Sequence, residues 1–174
     1  MLKKPTDRTI FQNAWVVDDW EAICQKWVRE IGVGPFYVGD FEIRVDYQGS
    51  PQNLSMFVAI AQAGPIQIEI IQPKNEICVY RDTVPSGTIG LHHACVWTDD
   101  IDADTEYFES IGYTTATKGQ IGDIEFAYYD MRPLMGCMLE VATRSKTLLD
   151  QANLIKNSSI NWDGKDPIRE LVLT

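Results

Sequence analysis

Two glutamates in this chain stand where a glutamate is costly. Glu69 lies within IQIEIIQP and Glu140 within CMLEVAT, apolar runs of the kind that form half-buried strands. An unpaired carboxylate on the buried face of a strand must shift its pKa or find a cation. Two further donors stand in segments of the same character: Gln12 in IFQNAWVV and His93 in LHHACVWT. Strand side chains alternate, so Gln12 shares a face with Ala14 and Val16, and His93 shares one with Cys95 and Trp97. Any one of these residues alone is more often a solvated or core group than a ligand. Four donors of type O, O, N and O on rigid strands, brought to one point, suit an octahedral divalent ion with positions open to water or substrate. Zinc, nickel, cobalt, manganese and magnesium all fit that donor set.

What would bring them to one point is an internal repeat. IFQNAWVV leads into Asp18-Asp19 and then WEAICQKWVREIG; LHHACVWT leads into Asp99-Asp100 and then IDADTEYFESIGY. Each unit reads as strand, cap, helix and glycine stop, with Asp19 as the first N-cap and Gly32 and Gly112 at the stops. β-like material follows each helix: FEIRVDYQ, LSMFVAIAQ and PIQIEIIQP in the first half, then YTTATK, IEFAYYD and GCMLEVAT in the second. Turn-forming stretches such as QGSPQN and KGQIGD separate these runs. The predicted fold class is α+β: two βαβββ modules, residues 9–72 and 91–143, pairing into a curved mixed sheet around a central metal cavity. Gln12 and His93 then occupy equivalent first strands, and Glu69 and Glu140 equivalent last strands. Residues 73–90 are expected to form a short helix plus a linker. Residues 144–174 are expected to form a helix around Leu148 to Ile155 and a turn-rich tail, packed over a sheet edge or a neighbouring subunit.

Composition narrows the classes of partner. A net charge of −10 argues against nucleic acid or an anionic membrane, either of which needs a basic face. No apolar run reaches the ~20 residues that span a bilayer, and the first residues lack the apolar stretch of an export signal. The four cysteines, Cys24, Cys78, Cys95 and Cys137, form no CxxC pair and are expected to be buried free thiols. A cytoplasmic protein with a small-molecule partner is the expectation, as a homodimer that covers the edges of open sheets.

The strand-DD-helix-IG unit, GLHHACVWTDDIDA, IEIIQP and GCMLEVA resemble the vicinal oxygen chelate superfamily, which includes glyoxalases, bleomycin-resistance proteins and ring-cleaving dioxygenases. GLHHACVWTDDIDA is most similar to methylmalonyl-CoA epimerases. The resemblance spans about residues 9–143 and implies one divalent metal ion held by Gln12, Glu69, His93 and Glu140, with His92 pointing away. The Gln, Glu, His, Glu order is similar to animal-type lactoylglutathione lyases, but Val16, Pro73 and Ile89 stand where those carry arginine and asparagine, which argues against glutathione.

The same resemblance implies a metal-dependent lyase or isomerase, epimerase-like, that moves a proton next to the carbonyl of a small molecule. Glu140 is then the principal base and Glu69 the second carboxylate. Trp97, Tyr128 and Tyr129 lie on strands able to line the cavity, with only one of the two tyrosines facing it and core packing as the other reading of Trp97, while Arg132 and Arg144 read as solvated. A drug-binding protein of the bleomycin-resistance type, without chemistry, is the alternative. A ring-cleaving dioxygenase is disfavoured, because two adjacent histidines on opposite faces cannot supply a two-histidine, one-carboxylate triad.

Overall fold

The computed structural model describes residues 8–172. The export reading of the first residues and the last two positions of the tail lie outside the described residues. The first half runs as β1 (Ile10–Val16), α1 (Trp20–Lys26) with a π-helical turn (Trp27–Ile31), β2 (Phe36–Tyr47), β3 (Ser50–Ala63) and β4 (Ile66–Pro73). The second runs as β5 (Gly90–Thr98), α2 (Ile101–Ser110), β6 (Thr115–Ile121), β7 (Ile124–Tyr129), a one-turn α3 (Arg132–Met135) and β8 (Met138–Thr143). After these come α4 (Lys146–Ser159) and β9 (Ile168–Glu170).

The caps act as local sequence dictates. Asp19 accepts from the Ala22 amide and Asp100 from the Ala103 amide, each at 3.0 Å, satisfying amides that have no partner inside the helix. Gly32 ends the first helical segment with φ 78°, a conformation that only glycine adopts without steric cost.

The strands form one sheet in the order β3-β4-β1-β5-β8-β7-β6-β2-β9, and β2 also pairs with β3. The first eight strands therefore close on themselves. The halves meet where β1 pairs antiparallel with β5 and where Val45–Tyr47 of β2 pair antiparallel with Thr117–Gly119 of β6. Within each half the first and last strands run parallel, β1 with β4 and β5 with β8. The expected homodimer rested on open sheet edges. Closure within one chain removes that reason, and β9 covers the Phe36–Val38 end of β2.

Alternation sorts the side chains into three apolar clusters. On β4, Ile68 and Ile70 point outward beneath α1, in a cluster with Val17, Cys24 and Phe36, while Ile71 points inward. On β8, Leu139 and Val141 point outward beneath α2, with Phe108 and Tyr129, while Met138 and Ala142 point inward. The helices cover the outside of the barrel, and the inside is left as a separate apolar space. All four cysteines are buried and free.

Two local expectations are corrected. Residues 74–89 form turns and no regular helix; they are nonetheless anchored, because Cys78, Val79 and Tyr80 are buried in the interior cluster. The C-terminal helix is longer than expected, and its Ile155 is completely buried in that same interior cluster. It packs into the open side of the barrel as well as leading to the edge strand β9.

Candidate metal centre

The register of four strands explains how the donors meet. Ala14 of β1 is paired with Glu69 on one side and His93 on the other. One step along, Cys95 is paired with Gln12 on one side and Glu140 on the other, and Glu140 with Tyr128. Two adjacent cross-sheet rows thus carry Glu69-Ala14-His93 and Gln12-Cys95-Glu140-Tyr128. Neighbouring strands are ~4.8 Å apart, so the small Ala14 and Cys95 leave the space into which the longer side chains converge.

His93 Nε2 lies 2.9 Å from Glu140 Oε2 and 3.3 Å from Glu69 Oε2. One ligand atom from each of Glu69, His93 and Glu140 can be chosen so that all lie within 4.8 Å of one another. His93 is fully buried, and only about a tenth of either glutamate side chain is exposed. Gln12 lines the same cavity, and its amide nitrogen donates to Gln67 Oε1 at 3.3 Å. An amide bonded through nitrogen on one side presents its oxygen on the other. The structure brings Glu69, His93 and Glu140 into one cluster, with Gln12 at its border.

The cluster lacks its own electrostatic balance. Although His93 Nε2 is close to both carboxylates, neither contact has the alignment of a hydrogen bond, and the atom is buried without a partner. Burial pulls His93 toward the neutral form, but the charges of Glu140 and Glu69 outweigh it and raise its pKa to about 9. Burial raises Glu69, against the lowering effect of His93. Two carboxylates around one imidazole nitrogen call for a cation, and a proton on His93 is the one the chain itself can supply.

His92 corrects the expectation that it points away. Trp15 pairs with Leu91 and Ala14 with His93, so His92 is an extra residue at a bulge in β5, and bulges re-aim side chains. Its Nδ1 is 2.8 Å from His93 Nδ1, and its Nε2 is 3.1 Å from the Val79 carbonyl. The carbonyl can only accept, so His92 Nε2 carries the hydrogen. Burial and the neighbouring His93 keep His92 well below the usual histidine range, and its Nδ1 is therefore an acceptor. His93 then donates from Nδ1 and turns Nε2 toward the carboxylates. This is the tautomer a metal-ligating histidine takes. The donor set fits a divalent ion: one imidazole nitrogen that, on releasing its proton as the ion arrives, directs a lone pair between two largely buried carboxylates.

The cavity above the cluster has a volume of about 110 Å³. Of the aromatic candidates, Tyr128 lines it, while Tyr129 lies on the other face and hydrogen-bonds to Thr105 at 2.8 Å. Trp97 stacks on Phe11 at 3.7 Å and is not in the cavity wall. Arg132 is paired with Asp130 outside the cavity. Sequence reasoning missed Tyr80, whose hydroxyl lies 3.5 Å from that of Tyr128. The signal was the apolar run Ile77-Cys78-Val79-Tyr80 inside the linker.

No helix among the described residues is long and apolar enough to cross a membrane. A search of the curated proteins returns no significant match. Among solved structures, the chain resembles a methylmalonyl-CoA epimerase in complex with methylmalonyl-CoA and NH4+, with TM-score 0.58 and 15% identity over 81% of this chain and 97% of the other. A Streptomyces coelicolor methylmalonyl-CoA epimerase variant in complex with 2-nitronate-propionyl-CoA gives TM-score 0.56 and 14% identity over 79% and 98%. The methylmalonyl-CoA epimerase from Mycobacterium tuberculosis gives TM-score 0.57 and 14% identity over 86% and 97%. At such identities the likeness speaks for the fold. Residues 11–128 match the family model of the Glyoxalase/Bleomycin resistance protein/Dioxygenase superfamily, and to that superfamily this chain belongs.

Proposed function

We propose that this protein is a metal-dependent isomerase, epimerase or glyoxalase-like lyase that moves a proton next to the carbonyl of a small molecule. The observation that carries the proposal is the buried Glu69-His93-Glu140 cluster, whose imidazole nitrogen has no hydrogen-bond partner. Gln12, Glu69, His93 and Glu140 would hold one divalent ion. Bound there, such an ion supplies Lewis-acid stabilisation of the negative charge that develops on a carbonyl oxygen when the adjacent C–H is broken.

The chain's own residues do the rest. Glu140 takes the proton from the carbon beside the carbonyl. Glu69 is the second carboxylate, able to loosen from the metal and act in its protonated form. It returns a proton to the opposite face of that carbon in an epimerisation, or to a neighbouring atom in an isomerisation or lyase reaction. Gln12 and His93 act as ligands only. Tyr80 and Tyr128 are buried on the wall and keep bulk water from the proton in transit. A single imidazole with two carboxylates differs from the two-histidine set of ring-cleaving dioxygenases. The free thiols suit the reducing cytoplasm.

The test is elemental analysis of purified wild type and of a His93→Ala, Glu140→Ala double variant, together with deuterium exchange into a carbonyl compound. About one divalent ion per chain is expected in the wild type and none in the double variant, and Glu140→Gln should abolish exchange. Metal retained without exchange for any carbonyl compound would point to a binding protein of the bleomycin-resistance kind. Exchange at the wild-type rate in Glu140→Gln would overturn the assigned base.

A further inference from the structure

The wall above the metal-ligand cluster is almost entirely hydrocarbon. Outside the floor of Gln12, Glu69 and Glu140, its polar side chains are the two tyrosines and Gln151, with the weakly polar thiol of Cys95; no lysine, arginine or histidine is among the lining residues. Both tyrosine hydroxyls stay neutral, since burial pushes Tyr80 and Tyr128 above the usual tyrosine range. Leu148 and Gln151 of α4 and Leu171 after β9 complete the wall, and all three lie beyond the residues matched by the family model. The C-terminal segment thus contributes two aliphatic side chains and one amide to the cavity wall.

The chemistry of an entering ligand follows from these residues. A substrate carboxylate or phosphate seated in this wall, away from the floor, would give up its hydration with no protein cation to replace it. The net charge of −10 adds a long-range penalty of the same sign. A hydrocarbon body faces the opposite balance, because its transfer from water to Phe41, Ile43, Met56 and Leu148 is favourable at about 25 cal/mol per Å². Cavities of similar scale, about 150 Å³, hold a benzene ring.

We infer that the site takes an uncharged carbonyl compound with a single-ring or branched-alkyl body, its oxygen end toward Glu69, His93 and Glu140 and its hydrocarbon end toward α4. This rests on the carbonyl chemistry proposed above and adds the substrate class: neutral and apolar, without an acid or phosphate group inside the cavity.

The test compares two probes with the same oxygen-bearing head, para-methyl- and para-carboxy-2-hydroxyacetophenone, titrated calorimetrically into zinc-loaded full-length protein near neutral pH. The para-methyl compound is expected to bind about tenfold tighter or more. Leu148→Lys, which puts a cation into a half-buried wall position, should narrow or reverse that ratio, whereas Leu148→Met should leave it unchanged. Equal or tighter binding of the para-carboxy probe by wild type, or binding of neither probe, overturns the inference. Deuterium uptake beside the carbonyl, read by NMR on the same samples, separates this from the reaction proposal. Tight binding of the para-methyl probe without exchange removes the proton transfer and leaves the substrate class. Preferred exchange of the para-carboxy probe removes the substrate class and leaves the proton transfer.

Discussion

His92 and His93 divide one task. His93 faces the carboxylates, and His92 fixes its tautomer through the 2.8 Å contact between their Nδ1 atoms. Outer hydrogen-bond partners of metal-ligating histidines contribute about 10–100-fold in metal affinity. His92→Phe fills the same buried volume without an acceptor, so it should weaken zinc binding by about that factor while the far-ultraviolet circular dichroism stays unchanged. Competition with a chromophoric chelator measures the affinity; an unchanged value would make His92 a packing residue. The pH dependence of the metal-free protein follows from His93. Its folded pKa of about 9 stands above the unfolded value near 6.5. The stabilisation is complete below about pH 6.5 and is lost as pH rises through about 9. Raised Glu69 acts with the same sign, since its proton too is held more tightly in the folded state. Urea midpoints of metal-free protein should therefore fall across that window, and saturating zinc should flatten the profile because the ion replaces the proton.

At the level of elements, the closing helix is the feature with the clearest energetic consequence. Ile155 of α4 has no exposed surface and packs with the barrel interior. Removing a buried isoleucine side chain costs about 2–5 kcal/mol, the larger values applying where the neighbours cannot collapse into the gap. Ile155→Ala should destabilise the protein by that amount in chemical denaturation. Leu154, on the same helix but exposed, should tolerate alanine with a change within about 0.5 kcal/mol. Similar costs for the two substitutions would mean that α4 does not pack into the barrel as a wall. The β5 bulge is the second such feature: one extra residue in a strand turns the His92 ring onto its neighbour's instead of onto the opposite face.

For the molecule as a whole, the proposed metal centre would tie the two halves together, since Gln12 and Glu69 come from one and His93 and Glu140 from the other. A ligand that binds only the folded state stabilises it by about 4 kcal/mol at a thousandfold excess over Kd. For a domain of this size that corresponds to a rise of roughly 10 °C in Tm. Removing metal with a chelator should lower the melting midpoint by that order, and zinc should restore it. The double variant His93→Ala, Glu140→Ala should not respond to either treatment. A zinc response that survives in the double variant would move the metal to another site.

The sequence by itself determined the α+β repeat, the Asp19 cap and the glycine stops, because these depend on alternation, helical spacing and short-range hydrogen bonds. The buried polar residues at Glu69, His93 and Glu140 were legible as anomalies on apolar strands. What the tertiary structure alone decided is longer in range. Pairing of β2 with β3, β6 and β9 closes the barrel within one chain, and no local pattern encodes which distant strand a strand will meet. The bulge that turns His92 toward His93 depends on register across two strands, and a single strand's alternation assigns the two histidines to opposite faces. Tyr80 and α4 reach the cavity because burying their apolar surface inside the barrel is more favourable than leaving it in water. That choice exists only once the other eight strands have made an inside.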